Sequence, residues 1–490
     1  MTETPKCLGL LPHLSTGVKI PEVLIEGITS GFKESMSAGG LMLAFGRETA
    51  PRYVIDSPPG VYDITMGHTG VSIEHFINIA VEAVKRKCVI AEIEADHILI
   101  RASPPSEAAK RIYVRHGRRW DEKFLRESIS LAQDMIDEAV KTSSIHAFTI
   151  DTADLIFQEV DTWSFNKVKD EFEKNIPLEE SKRICERYLG KEIGVIDSRG
   201  FKYTYKITYL ELMRNALKFS KSIEIFKDVY SYIENRMGGK KFTIELALDE
   251  TINKMNCIEL YYILKELQDA GCRVDFVAPN IGFKKRLDFT GSLDRLESDL
   301  SRLNAIANFF GTILSIHSGS GSDPYGVKGQ RVHEILLKAT GGNLKYKISG
   351  VYLELLMNLL ASFPKSSYER RLYEEMFDSL FNFLKDQVSC YGSLYSKFLK
   401  NMLNKYEENI KKGRMKPYDP KAMFFRFYSF LLLNFKDRSG RRPFREEILK
   451  LYEERRAFRE LVDREVKKVT ITFIENLGFS NNVANSKNDV

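Results

Sequence analysis

The sequence predicts an α/β fold, a TIM-like (β/α)8 barrel with a helical and hairpin insertion and a helical C-terminal extension, on three observations. Short β-branched runs alternate with longer amphipathic ones from about residue 60. Each cycle takes roughly 30 to 40 residues, the size of one βα unit, and about six or seven can be counted. The short runs end in polar residues, as strands opening into a shared barrel mouth do. A length of 490 residues suits two or three domains at roughly 150 each, although an elaborated barrel can take most of such a chain. With 43% hydrophobic and 29% charged residues, disordered, collagen-like and small disulfide-dense classes are excluded.

Residues 1–60 have no assigned place, and the barrel is read over 61–361. VSIEHFINIAVEAVKRK sets Ile73, Phe76, Ile77, Ala80 and Val84 at helical spacing and feeds CVIAEIEADHI, whose β-branched residues suit a strand. EKFLRESISLAQDMIDEAVK is a further amphipathic helix leading into the strand HAFTID. At about 152–240 the rhythm breaks into a charged helix-rich stretch and GKEIGVIDSRGFKYTYKI, a hairpin turning at Asp197 to Gly200, together read as an insertion. The cycle resumes with KFTIELALDE, the helix NCIELYYILKELQDAG stopped by Gly271, and CRVDFVAPN. GSLDRLESDLSRLNAIANFFG, GTILSIHSGS, RVHEILLKATGG, NLKYKISG and VYLELLMNLLASF complete it. Residues 362–478 are helical, Lys/Glu-rich and aromatic, and either pack beneath the barrel or form an oligomer contact. The polar tail 479–490 is expected to be disordered.

Against 67 Asp+Glu there are 73 Lys+Arg, and the net charge of +6 makes no case for nucleic acid. The basic knot RIYVRHGRRW, Arg111 to Trp120, reads as a solvated loop or flap. Six cysteines are scattered without a CxxC pair, and the N-terminus lacks a signal pattern, so a reduced, cytoplasmic protein is expected. The longest apolar run, AMFFRFYSFLLLNF, is broken by Arg426 and reads as a buried helix, not a membrane span.

The polar strand ends carry the chemistry. They are Glu94, Asp96 and His97; Asp151; Glu245 and Asp249 with Glu250 beyond; Asn280; His317; and Lys345 with Lys347. Buried charges cost several kcal/mol each unless paired or metal-bound, so their recurrence on five strands marks a site. Two histidines on different strands amid carboxylates fit a divalent cation, Zn, Mn, Co, Ni or Fe. Singly, each histidine also fits a hydrogen-bonded core residue and each acid a structural ion pair. HSGSGSDPYG offers an anion or a sugar face Ser318, Ser320 and Ser322, with Lys347 as positive partner, or is a simple turn. Its glycine spacing is not that of a nucleotide-binding loop.

At these residues the chain resembles the tagaturonate/fructuronate epimerases, metal-dependent hexuronate epimerases on a TIM barrel. EADHI, FTIDTAD, IELALDET, LDFTGSL, SIHSGS and KYKISG, spread over about residues 85–360, carry the resemblance. It implies Asp96 as proton acceptor, Glu245 as proton donor, and His97 and His317 as metal ligands. Asp151, Glu250, Asn280, Ser318, Ser320 and Lys347 are taken as substrate-binding. Where the family's last motif opens with histidine, this chain has Lys345. The implied reaction is epimerisation of a keto-hexuronate by a retro-aldol route: the ketone is polarised by the metal, Asp96 takes the hydroxyl proton, and Glu245 protonates the new alkoxide. The rivals are a metal-dependent ketose isomerase or aldolase acting on another sugar acid, and a non-catalytic sugar-acid-binding barrel.

Overall fold

The computed structural model describes residues 4–102 and 121–483. Among them eight parallel strands close a barrel: β1 His13–Gly17, β2 Gly39–Ala44, β3 Ala91–Leu99, β4 Ala147–Asp151, β5 Thr243–Leu248, β6 Phe276–Pro279, β7 Ile313–Ile316 and β8 Leu344–Ile348. Each strand pairs with its neighbours in chain order, and β8 closes on β1 with His13 opposite Lys345 and Ser15 opposite Lys347. A helix follows every strand: α1 Pro21–Glu34, α2 Ile73–Lys87, α3 Glu122–Lys141, α4 Tyr209–Met237, α5 Cys257–Asp269, α6 Leu293–Phe309, α7 Val332–Thr340 and α8 Gly350–Ser362. Helix starts are set locally. Ser72 caps α2, and reciprocal side-chain and backbone bonds close the first turns of α4 (Thr208 with Glu211) and α5 (Asn256 with Glu259).

Period-two alternation explains why polar residues occur in fully buried strands. On β3 Ile93 and Ala95 alternate with Glu92, Glu94 and Asp96, and on β8 Tyr346 separates Lys345 from Lys347. Apolar members pack under the helices, while the charged ones share the barrel interior, where His13 reaches Glu92 (3.2 Å) and Lys345 reaches Glu94 (2.9 Å).

The boundaries differ from the sequence reading in three ways. First, the barrel begins at His13, not residue 61, because β1 and β2 lie in the segment left unassigned. HLSTG is short and polar, and GGLMLA opens on two glycines, so neither shows the β-branched signature. Second, the insertion is shorter than 152–240, since α4 is the barrel helix that follows β4. What remains holds the helices Phe165–Asn175 and Leu178–Tyr188 and the antiparallel hairpin Glu192–Ile196 with Lys202–Lys206. Asp197 closes that hairpin by accepting from the backbone N–H groups of Arg199 and Phe201, both at 2.9 Å.

Third, the C-terminal region lies against the side and the carboxyl rim of the barrel. The helix Arg456–Asn476 lies along α1 at a glycine seam: a Cβ on Gly27 would come within 2.6 Å of Val466 Cβ, and one on Gly31 within 2.7 Å of Thr470 Cβ. Gly27→Leu is expected to destabilise the chain by about 1–3 kcal/mol, read from the urea midpoint, because the seam cannot widen without losing packing. The run from Met423 forms the helix Met423–Tyr428 and the 3-10 turn Ser429–Asn434, buried by aromatic packing such as Phe377 on Phe425 (centroids 4.8 Å apart). At its end Asn434, and beyond it Lys436 and Arg442, donate to carbonyls of residues 55–66, tying down the loop after β2. Among the described residues no helix is long and apolar enough to cross a membrane. The expected disorder does not extend over 479–483: Phe479 is buried, and Asn482 accepts from Ala38 N (2.7 Å) and donates to Pro12 O (2.9 Å). Residues 484–490 and the basic knot Arg111 to Trp120 lie outside the described residues.

Candidate metal site at the carboxyl rim

Strict alternation along β3 would turn Asp96 and His97 to opposite faces. A bulge prevents this: the β3/β4 register shifts between Ala95 and Ile98, and His97 takes a left-handed φ of 44°. Such a backbone costs a non-glycine residue about 1 kcal/mol or more, and here it aims two neighbouring side chains at one mouth. Across the barrel His317 follows β7, and the next residue, Ser318, is again left-handed at φ 56°.

The two imidazoles meet Asp249, just past β5, with one candidate ligand atom from each lying within 4.8 Å of the others. His97 Nε2 is 3.1 Å from His317 Nδ1, which is 3.1 Å from Asp249 Oδ1. Each histidine is held from behind through its other nitrogen: His97 Nδ1 by Asp151 at 2.8 Å, and His317 Nε2 by Glu245 at 2.5 Å. Carboxylates behind imidazoles fix tautomer and ring orientation, the usual support of a metal-binding histidine. Burial alone would push the His317 imidazole down, but Asp249 and Glu245 raise it to about 10. His97 is likewise raised, since Asp96 and Asp151 outweigh burial. This excess of negative charge around two imidazoles suits a divalent cation. Two nitrogens and one carboxylate oxygen, converging and nearly dry, fit such an ion with room for substrate or water ligands.

Beneath the cluster lies a charged layer. Lys347 Nζ donates to Asp96 (2.8 Å), to Thr149 Oγ1 (2.7 Å) and to Glu94, and stands 3.0 Å from Glu245. Lys345 lies between Glu94 (2.9 Å) and Glu245 (3.3 Å). Burial would raise the Glu94 carboxyl, yet Lys345 and Lys347 hold it down at about 2. Lys345 therefore sits in the layer below His97, Asp249 and His317 and is not part of that cluster.

The structure thus brings together Asp96, His97, Asp151, Glu245, His317 and Lys347. In the sequence Asp249 is only an acid at a strand end. Nothing local marked it as a ligand, since its histidine partners come from other strands. Two of these acids stand behind histidines. Asp151 stands behind His97, not in the open mouth. Glu245 is 2% exposed, with Oε1 at His317 and Lys347 and Oε2 3.3 Å from Lys345, so it stands behind His317.

The outer residues do not join the cluster. Glu250 binds Arg47 (3.0 Å) and Lys285 (2.7 Å) at the mouth. Asn280 donates to Thr251 O and accepts from Gly282 N within its own loops. The serine loop is a turn braced from within: Lys328 Nζ donates to the carbonyls of Ser318 (2.7 Å) and Ser320 (3.2 Å), and Ser322 donates to Asp288. Burial pushes the Lys328 ammonium from 10.5 down to about 7, against the pull of Asp288. Between those values the unfolded chain binds more protons, so this residue makes stability rise with pH, by at most about 1.4 kcal/mol per pH unit. Urea midpoints at about pH 7.5 and 9 are expected to differ less in Lys328→Met than in the parent.

Fold and donor set together define a TIM-like barrel protein with a candidate cation site in its carboxyl-terminal mouth. Within that class the profile of UxaE, tagaturonate epimerase, matches residues 131–471, and the chain belongs to this family of carbohydrate epimerases. Among solved structures it is similar to the fructuronate-tagaturonate epimerase UxaE from Cohnella laeviribosi. The native form is 19% identical and the form with one glycerol 18%, each with a TM-score of 0.66 over 97% of this chain and 83% of the other. That likeness bears on the fold. No match was found among curated proteins.

Proposed function

We propose that this chain is a divalent-metal-dependent epimerase of keto-hexuronates of the tagaturonate/fructuronate type. The observation that carries the reading is the convergence of His97, Asp249 and His317, with Asp151 and Glu245 locking the histidines. A divalent cation bound by these three residues would supply Lewis-acid polarisation of the substrate ketone. The carbon that inverts is two bonds from that ketone, so its C–H is too weakly acidic for simple enolisation, and carbon–carbon cleavage is the accessible route.

In that route Asp96 takes the proton of the hydroxyl on the inverting carbon. The electron pair of the adjacent carbon–carbon bond moves to the ketone-bearing half, and the hydroxyl oxygen becomes an aldehyde carbonyl. The aldehyde turns its other face, the pair returns to it, and the oxygen recovers a proton from Asp96. Lys347, 2.8 Å from Asp96, holds that carboxyl group in place through the cycle. Glu245 acts through His317 as a positioning residue, in place of the proton donor expected from the sequence.

Incubating the metal-loaded protein with tagaturonate and with fructuronate, and following stereochemistry by NMR, tests this. Interconversion that stops on chelation is the expected result. Turnover of neither compound with metal bound would overturn the substrate assignment, and full activity in Asp96→Asn would remove Asp96 from the mechanism.

A further inference from the structure

The first turn of α8 opens onto the same rim, three residues beyond Lys347, and no side chain caps it. Its N-cap residue, Ser349, instead donates its hydroxyl to Glu48 (2.8 Å). Arg286, from the loop after β6, lies on this turn: a Cβ on Gly350 would come within 2.6 Å of its Nη2 and 2.8 Å of its Nε. The guanidinium is 8% exposed, and its Nη1 makes no hydrogen bond.

Neighbouring charges are already matched. Lys19 pairs with Glu48 at 2.5 Å, and Arg426 pairs with Glu354 at 2.6 Å while donating to the Arg286 carbonyl at 3.0 Å. Among the described residues no carboxylate lies within ion-pair distance of Arg286, and burial pushes its guanidinium down against the more distant pull of Glu354 and Glu48. An arginine cannot escape burial by losing its proton, so this arrangement persists at a cost that an incoming anion would remove.

We propose that Arg286 and the first-turn N–H groups of α8 bind the carboxylate of the sugar-acid substrate. The planar guanidinium matches a carboxylate's two oxygens, and the helix N-terminus adds oriented N–H groups and a partial positive charge. Resting on the epimerase reading, the assignment gives that reaction a tether. Ketone and carboxylate stand at opposite ends of a keto-hexuronate, so the half released as an aldehyde is the half that carries the carboxylate. Held at Arg286, it turns about its own bonds without leaving the barrel.

Calorimetric titration of the metal-loaded, full-length protein with glycerate and with glyceramide tests the site apart from turnover. Glycerate is expected to bind at least about tenfold more tightly than glyceramide. The preference should vanish in Arg286→Met and persist in reduced form in Arg286→Lys, which keeps the charge but not the fork. Metal content and circular dichroism establish that the variants are folded. With fructuronate as substrate, Arg286→Met should also raise KM and release aldehyde that phenylhydrazine traps. Equal binding of glycerate and glyceramide by the parent protein, which needs no variant, would overturn the proposal, as would an unchanged preference in folded Arg286→Met. A parent protein that discriminates between the two probes yet turns over neither uronate would keep the anion site and remove the epimerase reading.

Discussion

His317→Ala is expected to lose tight binding of a divalent ion and to lower kcat/KM by about a thousandfold or more. The estimate follows from the geometry. His317 Nδ1 is the atom that faces both His97 Nε2 and Asp249, each at 3.1 Å, so removing the ring takes away one of three candidate ligands. Lewis-acid stabilisation is worth several kcal/mol, and about 4 kcal/mol corresponds to three powers of ten. Metal stoichiometry after dialysis, with kcat/KM measured at saturating metal, checks both halves. Asp151→Asn should be milder, about 10–100-fold in metal affinity, since Asp151 acts through His97. Equal effects of the two substitutions would mean that the cluster is not a ligand set.

The largest effect on stability is expected from Lys347→Met. Methionine fills the volume but leaves Glu94, Asp96 and Glu245 without the ammonium that touches all three. Breaking a buried ion pair by removing one partner costs about 3–5 kcal/mol. The urea midpoint should fall accordingly, and adding Glu94→Gln should recover part of the loss, because the amide removes one of the stranded charges. Lys345 will not substitute, as its own carboxylates, Glu94 at 2.9 Å and Glu245 at 3.3 Å, already hold it one layer below. Activity and stability should fall together in Lys347→Met, whereas His317→Ala should lose activity with a smaller loss of stability.

Much of the site could be read from the chain alone. His97 and His317 stood out because each ends a β-branched run, and Glu94, Asp96, Glu245 and Lys347 because charges seldom sit in such runs without partners. Asp249 was visible for the same reason, but its partners were not. His97 and His317 are 220 positions apart, and no local spacing announces their approach. Arg286 was visible only as part of a basic stretch, and its contact with Gly350 depends on how two rim loops pack.

The fold divides along similar lines. Periodicity and caps located six of the eight strands and most helices, including the hairpin turning at Asp197. β1 escaped because an inward-facing strand beside the charged interior has little apolar pattern to show, and α4 was read as insertion because the cycle before it had been interrupted.

By itself, then, the sequence determined the βα repetition, the kinds of side chain at the strand ends and the family resemblance, since these depend on neighbours within one or two turns of chain. Only the tertiary structure decided which of those side chains share a layer, that a bulge turns His97 inward beside Asp96, and that Glu245 lies against His317. Barrel closure sets these relations, because pairing β8 with β1 fixes the stagger of every strand and hence the height at which each side chain enters the interior.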